Sequence, residues 1–171
     1  MIILIDGDNR PKACLKGIEN LQKKDIVYIL YNETNVKAYT SKFKADVIEK
    51  SKAKVKFVKI NTNSKNGVDF ASSQFLSKLL CKDSDKRYIL VSGDKHFHVI
   101  ASTAKQIHST NKIHVVETLD DIKYINKEKR SKKLNQIKKE LILLLGDETA
   151  DKICGDIRNQ LNQCTQLTET N

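Results

Sequence analysis

The segment Ile2-Ile3-Leu4-Ile5-Asp6-Gly7-Asp8-Asn9 carries the reading of the fold. Four apolar residues, mostly β-branched, run into an acid and then into Gly-Asp-Asn turn chemistry. A short apolar run closed by turn signals is the pattern of a strand buried on both faces, as in a parallel sheet. Outward from it, similar runs recur at residues 26–31, 55–60, Tyr88–Val91 and Ile113–Val116. Helix-like stretches lie between them. Pro11 suits a first helical turn and is followed by Leu15, Ile18 and Leu21 at helical spacing. Residues 36–50, residues 68–80 and the set Phe97, Ile100, Ala101 and Ala104 complete the series. Strand-then-helix alternation predicts an α/β fold, a three-layer sandwich around a parallel five-stranded sheet with right-handed crossovers. The expected strand order is 3-2-1-4-5.

After residue 120 the strand pattern stops. Leu134, Ile137, Leu141 and Leu144 recur at helical spacing, and Gly146 reads as the C-cap of that helix. Ile153, Ile157 and Leu161 mark another. Residues 1–125 are therefore expected to form the α/β domain and residues 126–171 a C-terminal helical appendage, with the tail from Thr165 frayed. Residues 123–139 hold eight Lys or Arg and one acid, Glu128, a local balance of +7.

With 171 residues the chain is long enough for one domain and its appendage. Apolar residues at 39% are too many for a disordered chain. Apolar runs such as residues 141–145 are far too short to span a bilayer, so no membrane partner is expected. Met1 leads straight into the first strand with no basic or cleavable leader pattern. The four cysteines, at positions 14, 81, 154 and 164, include no C-x-x-C pair, which fits free thiols in a reducing, cytoplasmic setting. Thirty-one basic residues against 21 acids leave +10, a balance that favours polyanions, nucleic acid above all.

Ligands of open α/β sheets bind beyond the carboxyl ends of the strands, at the switch point. Two strands here end in acid, at Asp6 and at Asp94, and the expected order places them side by side. Asp69 falls in the first turn of the helix after Asn66-Gly67, where the helix dipole favours a carboxylate. Asp8 reads equally as a turn residue, and Asp94 alone as a helix cap. Several carboxylates in one crevice repel unless a cation lies between them. Hard oxygen donors suit Mg²⁺ or Mn²⁺, and such ions activate water for phosphodiester cleavage.

These residues resemble the PIN-like nucleases and their NYN relatives. The opening strand with Asp6 and Asn9, the segment Lys65-Asn66-Gly67-Val68-Asp69-Phe70, and Ser92-Gly93-Asp94-Lys95-His96-Phe97 resemble three family motifs in the family's order. The likeness spans residues 2–116. It implies a metal-dependent ribonuclease with Asp6, Asp69 and Asp94 as catalytic ligands of Mg²⁺ or Mn²⁺ and Asp8 as accessory acid. RNA is favoured over DNA. Asn9 is implied as a substrate-positioning residue. Lys65, Lys95 and His96 are further candidates for contact with the substrate, because they flank the acids. Lys132 and Lys133 join them from the basic helix, which could alternatively carry only a solvated face or form a homo-oligomer. The chain departs from the family at His96, which stands where the last motif has its second acid, and again at His98.

Two other readings compete. A haloacid-dehalogenase-type phosphatase also opens on Asp-x-Asp, with the first Asp as nucleophile, but leaves Asp69 and the basic surface without a role. A catalytically degenerate nucleic-acid or protein binding module uses the same charge and accounts for the two histidines.

Overall fold

The computed structural model describes all residues except 63, 65, 170 and 171, and, of those, all side chains except 126–130, 132, 161 and 163–169. Two of the expected contact residues, Lys65 and the side chain of Lys132, lie outside the described residues. The chain divides into two compact units, Met1–Ile122 and Lys123–Asn171.

In the first unit β1 (Ile2–Asp6), β2 (Ile26–Asn32), β3 (Lys54–Ile60), β4 (Tyr88–Val91) and β5 (Ile113–Val116) form one all-parallel sheet in the order β3-β2-β1-β4-β5. This is the expected topology. The three central strands are almost wholly apolar because both of their faces are covered. One face carries Ile2, Leu4, Leu30, Tyr88 and Leu90, packed with Val68, Leu76 and Leu80 of α3 (Gly67–Lys82) and Phe97, Ala101 and Ala104 of α4 (His96–Ile107). Ile3, Ile5, Val27, Ile29, Ile89 and Val91 have the opposite parity and are equally buried. Asp6 continues the parity of Ile2 and Leu4, and Ser92 that of Tyr88 and Leu90, so both emerge at the strand ends on the face of α3 and α4.

Strand β3 lies at an edge of the sheet and exposes Lys54, Lys56 and Lys59. Lys56 Nζ sits 5.0 Å from the centre of the Tyr28 ring, and Lys59 pairs with Glu33 at 2.6 Å.

Two helices differ from their expected form. The one opening at Pro11 is only α1 (Pro11–Cys14). Arg10 before it is left-handed, and Gly17, at φ 94°, turns the chain into a single 3₁₀ turn, Ile18–Asn20. Leu15, Ile18 and Leu21 are buried, but through this broken path rather than one helical stripe. The helix expected over residues 36–50 splits into a 3₁₀ segment, Glu33–Ala38, and α2 (Ser41–Lys50). Tyr39 causes the break. It is buried, stacks on Tyr31 at 4.2 Å and donates its hydroxyl to the Gly7 carbonyl at 2.7 Å. Thr40 then restarts the helix as its N-cap, accepting from the Phe43 amide at 3.2 Å.

In the second unit α5 (Ile122–Leu145) and α6 (Asp147–Glu169) meet at Gly146. Its φ of 82° is the left-handed cap conformation expected of a glycine there. Leu134, Ala150 and Cys154 are buried, and Lys138 pairs with Asp151. Of the tail expected to fray from Thr165, α6 includes residues to Glu169, and residues 170 and 171 lie outside the described residues. Residues 156–169 contain no glycine or proline to stop it.

Candidate metal centre

The loop after β1 folds back on its own acid. Asp6 is 3% exposed, and its Oδ1 accepts from the backbone amides of Asp8 and Asn9 at 3.1 and 3.3 Å. Its Oδ2 accepts from the Ser92 hydroxyl at 2.8 Å, across to β4. Burial raises the Asp6 pKa above the usual carboxylate value, and these hydrogen bonds only partly oppose it, while the charge of Asp69 raises it further. Gly7 is required here by close approach. A Cβ on it would lie 2.6 Å from the Leu30 carbonyl and 2.5 Å from the Tyr39 hydroxyl. Cys14 donates to the Asn9 carbonyl at 3.2 Å, and burial with the nearby Asp6 charge pushes its thiol up to about 11.

Asp8 faces the second strand. Its Oδ1 accepts from the Asn32 amide at 2.8 Å and from Asn35 Nδ2 at 2.9 Å. Asn32 in turn caps the 3₁₀ segment, its Oδ1 accepting from the Thr34 amide. Asp8 is thereby braced by the chain leaving β2. The Asn9 amide nitrogen stands 3.9 Å from where a Cβ on Gly93 would lie, between the ends of β1 and β4.

The other acids have a different setting. Ser92 Oγ accepts from the Asp94 amide at 3.0 Å, and Asp94 Oδ1 accepts from the His96 amide at 2.9 Å, which winds the first turn of α4. Asp69 reaches the same place from the first turn of α3. His96 Nδ1 lies 3.5 Å from Asp69 Oδ2 and 3.4 Å from Asp94 Oδ1. One ligand atom from each of Asp69, Asp94 and His96 falls within 4.8 Å of the others, so the three could hold a metal ion. Burial and the Asp94 charge raise the Asp69 pKa, and His96 opposes that rise. Two oxygens and one imidazole nitrogen are a donor set that fits a divalent first-row ion.

A family model described as a PIN domain matches residues 1–112. The chain belongs to the PIN-domain family. No curated protein and no solved structure gives a significant match. Family membership supports a nuclease-type fold and displaces the phosphatase reading of Asp6-Gly7-Asp8.

The PIN domain brings Asp69, Asp94 and His96 within reach of one another, a set that could hold a metal ion. Asp6 and Asp8 are not in that set; each is tied by hydrogen bonds of its own, and Asp6 is linked to Asp94 through Ser92. Lys95 is exposed at the start of α4, and Lys133 is exposed on α5. Sequence reasoning gave no role to Ser92, Asn35 or Tyr39, which position the acids. Ser92 alone left a signal, two residues before Asp94 and in the parity of the buried strand face. Among the described residues no helix is long and apolar enough to cross a membrane.

Proposed function

We propose that this PIN domain is a metal-dependent ribonuclease that hydrolyses phosphodiester bonds in RNA. The observation that supports it best is the convergence of Asp69, Asp94 and His96 at the mouth of a site backed by the buried Asp6, on a chain of net charge +10. Asp69, Asp94 and His96 would hold the ion, and Asp6 would add negative charge behind them. A divalent cation bound there supplies Lewis-acid polarisation of the phosphate and an acidified water. The chain's own groups do the rest. Ser92 fixes Asp6 and the start of α4 in register through one hydroxyl. Asn9 and Lys95 orient and neutralise the phosphate near the acids. The imidazole nitrogen of His96 makes Mn²⁺ a better match than Mg²⁺, because nitrogen donors disfavour the harder ion.

Residues 1–125 act as the catalytic domain in this reading, and 126–171 as an appendage that guides the strand with Lys133 and its basic neighbours. Leu143 and Leu144, 87% and 78% exposed, offer a surface for self-association there. The setting is cytoplasmic.

A second reading draws on His96. Its ring already faces both carboxylates, so an imidazolium there would supply the counter-charge itself and leave a binding module that does not cut. Cleavage of an end-labelled single-stranded RNA, run in Mn²⁺, in Mg²⁺ and in EDTA, decides between the two. Cutting in Mn²⁺ that stops in EDTA and in Asp94→Asn is the expected result. Retention of RNA without cutting in any metal would establish the binding module instead, and full cutting in EDTA would remove the metal from the account.

A further inference from the structure

Beside the acids a groove runs between α3 and α4. It is lined by Asn66, Phe70 and Ser73 from one side and Val99, Ile100 and Thr103 from the other, and Asp69 and His96 stand at its head. Its volume is about 340 Å³. Apart from those two head residues, none of the described residues of the lining carries a charge.

Phe70 is 66% exposed and Val99 61%, although each belongs to a helix whose inner face packs into the core. The chain has five Phe and five Tyr. In the first unit the other rings are engaged. Tyr28 meets Phe75; Tyr39 meets Tyr31, Phe43 and Phe57; Tyr88 and Phe97 are fully buried. Phe70 is the exception, with an open face one residue from a candidate metal ligand. An exposed apolar surface joined to a polar site marks a place where a ligand sits.

We propose that this groove seats an unpaired nucleobase of the substrate, stacked on Phe70, while the phosphate next to it lies at Asp69, Asp94 and His96. The inference rests on the nuclease reading and adds to it a residue that seats the base, Phe70. The lining supports the assignment, since between α3 and α4 its described residues are apolar or uncharged and offer a base an aromatic face. Asn66, Ser73 and Thr103 offer hydrogen-bonding groups at the edges of the same groove. A base held in a duplex cannot enter, because its faces are already stacked on its neighbours. Stacking on an aromatic side chain is sequence-tolerant, so the groove selects strandedness and not base identity.

The test is binding of the full chain to a fluorescein-labelled single-stranded oligoribonucleotide, in Ca²⁺ to suppress cutting, beside the same sequence as a duplex and as an abasic strand. Wild type is expected to bind the intact strand about tenfold more tightly than the abasic one. Phe70→Ala is expected to bring the two strands level, with the salt dependence and Mn²⁺ affinity unchanged, and Phe70→Trp to restore the difference. Phe70 is exposed, so neither change threatens the core. A Phe70→Ala protein that binds like wild type, or a duplex bound as tightly as the single strand, overturns the base seat while leaving the nuclease reading intact if wild type still cuts. A wild type that neither binds nor cuts any nucleic acid overturns both.

Discussion

The acid crevice has two halves that obey different rules. Asp6 and Asp8 are held by hydrogen bonds from backbone amides, from Ser92 and from Asn35. Asp69, Asp94 and His96 are more open to solvent than Asp6 and face one another. The first half belongs to the sheet: its acids sit at or just beyond the end of a central strand and inherit that strand's rigidity. The second half belongs to helix N-termini, where a side chain can adjust to an incoming ion. The contrast teaches that carboxylates in one crevice need not be equivalent ligands. In the proposed reading the buried, braced Asp6 sets the field, and Asp69 and Asp94 take the ion.

The sharpest way to break this division is to neutralise one acid from each half. Asp94→Asn is expected to weaken Mn²⁺ binding by at least about a hundredfold and to abolish cutting, since it removes a donor from a set of three. Isothermal titration with Mn²⁺ and a gel assay measure the two effects. Asp6→Asn should weaken the ion by only about tenfold, the scale of a supporting residue. Equal losses in the two variants would show that the halves are one ligand set.

The same acids should make metal affinity depend on pH. Asp6 and Asp69 both have raised pKa values in the fold. Protons therefore compete with the ion at a higher pH than for ordinary carboxylates, and affinity is expected to fall at least about tenfold from about pH 8 to about pH 5. For the metal-free protein the sign is opposite. A raised carboxylate pKa stabilises the fold below the unfolded value of 3.8, and that stability is lost as pH rises through the folded value. Asp6→Asn should then raise the metal-free Tm by about 3 °C at neutral pH and by less in acid. Thermal melts at both pH values check this, and an unchanged Tm at neutral pH would mean that the buried charge is already compensated.

A subtler change concerns the identity of the ion. His96→Asp restores an all-oxygen set and is expected to shift the ratio of Mn²⁺ to Mg²⁺ affinity by about tenfold toward Mg²⁺. Competition titration reads the ratio without any substrate. On the fold itself, Ser92→Ala should cost about 1–3 kcal/mol, because it leaves the Oδ2 of buried Asp6 without its hydroxyl donor. Denaturant unfolding measures it.

The central strands were legible because they are buried on both faces and read as apolar runs followed by turn chemistry, and β3 because its apolar residues alternate with lysines. Asp6 and Asp94 could be placed side by side from strand order alone. What stayed out of sight was long-range. Tyr39 breaks a helix-like pattern because its ring and hydroxyl find Tyr31 and Gly7, contacts no local periodicity encodes. Ser92 meets Asp6 across 86 positions of sequence. His96 was visible as a departure from a motif and as a candidate contact beside the acids, but its position between two carboxylates depends on how α3 and α4 lie together. The open ring of Phe70 left no signal of its own beyond its place in a motif, since its exposure depends on how α3 packs.

Strand β3 gives the chain's positive charge a second meaning. As an edge strand it leaves a row of unpaired backbone groups, a template on which another copy could add a strand. Its apolar members, Val55, Phe57, Val58 and Ile60, are the kind of run that stacks into insoluble ribbons. Lys54, Lys56 and Lys59 interrupt that run and are exposed along the edge, so two copies approaching edge to edge meet like charge. Part of the +10 thus protects solubility rather than recruiting substrate. Acetylating these lysines, or lodging a polyanion along them, would remove the barrier and turn the quiet margin of the sheet into a nucleus for aggregation.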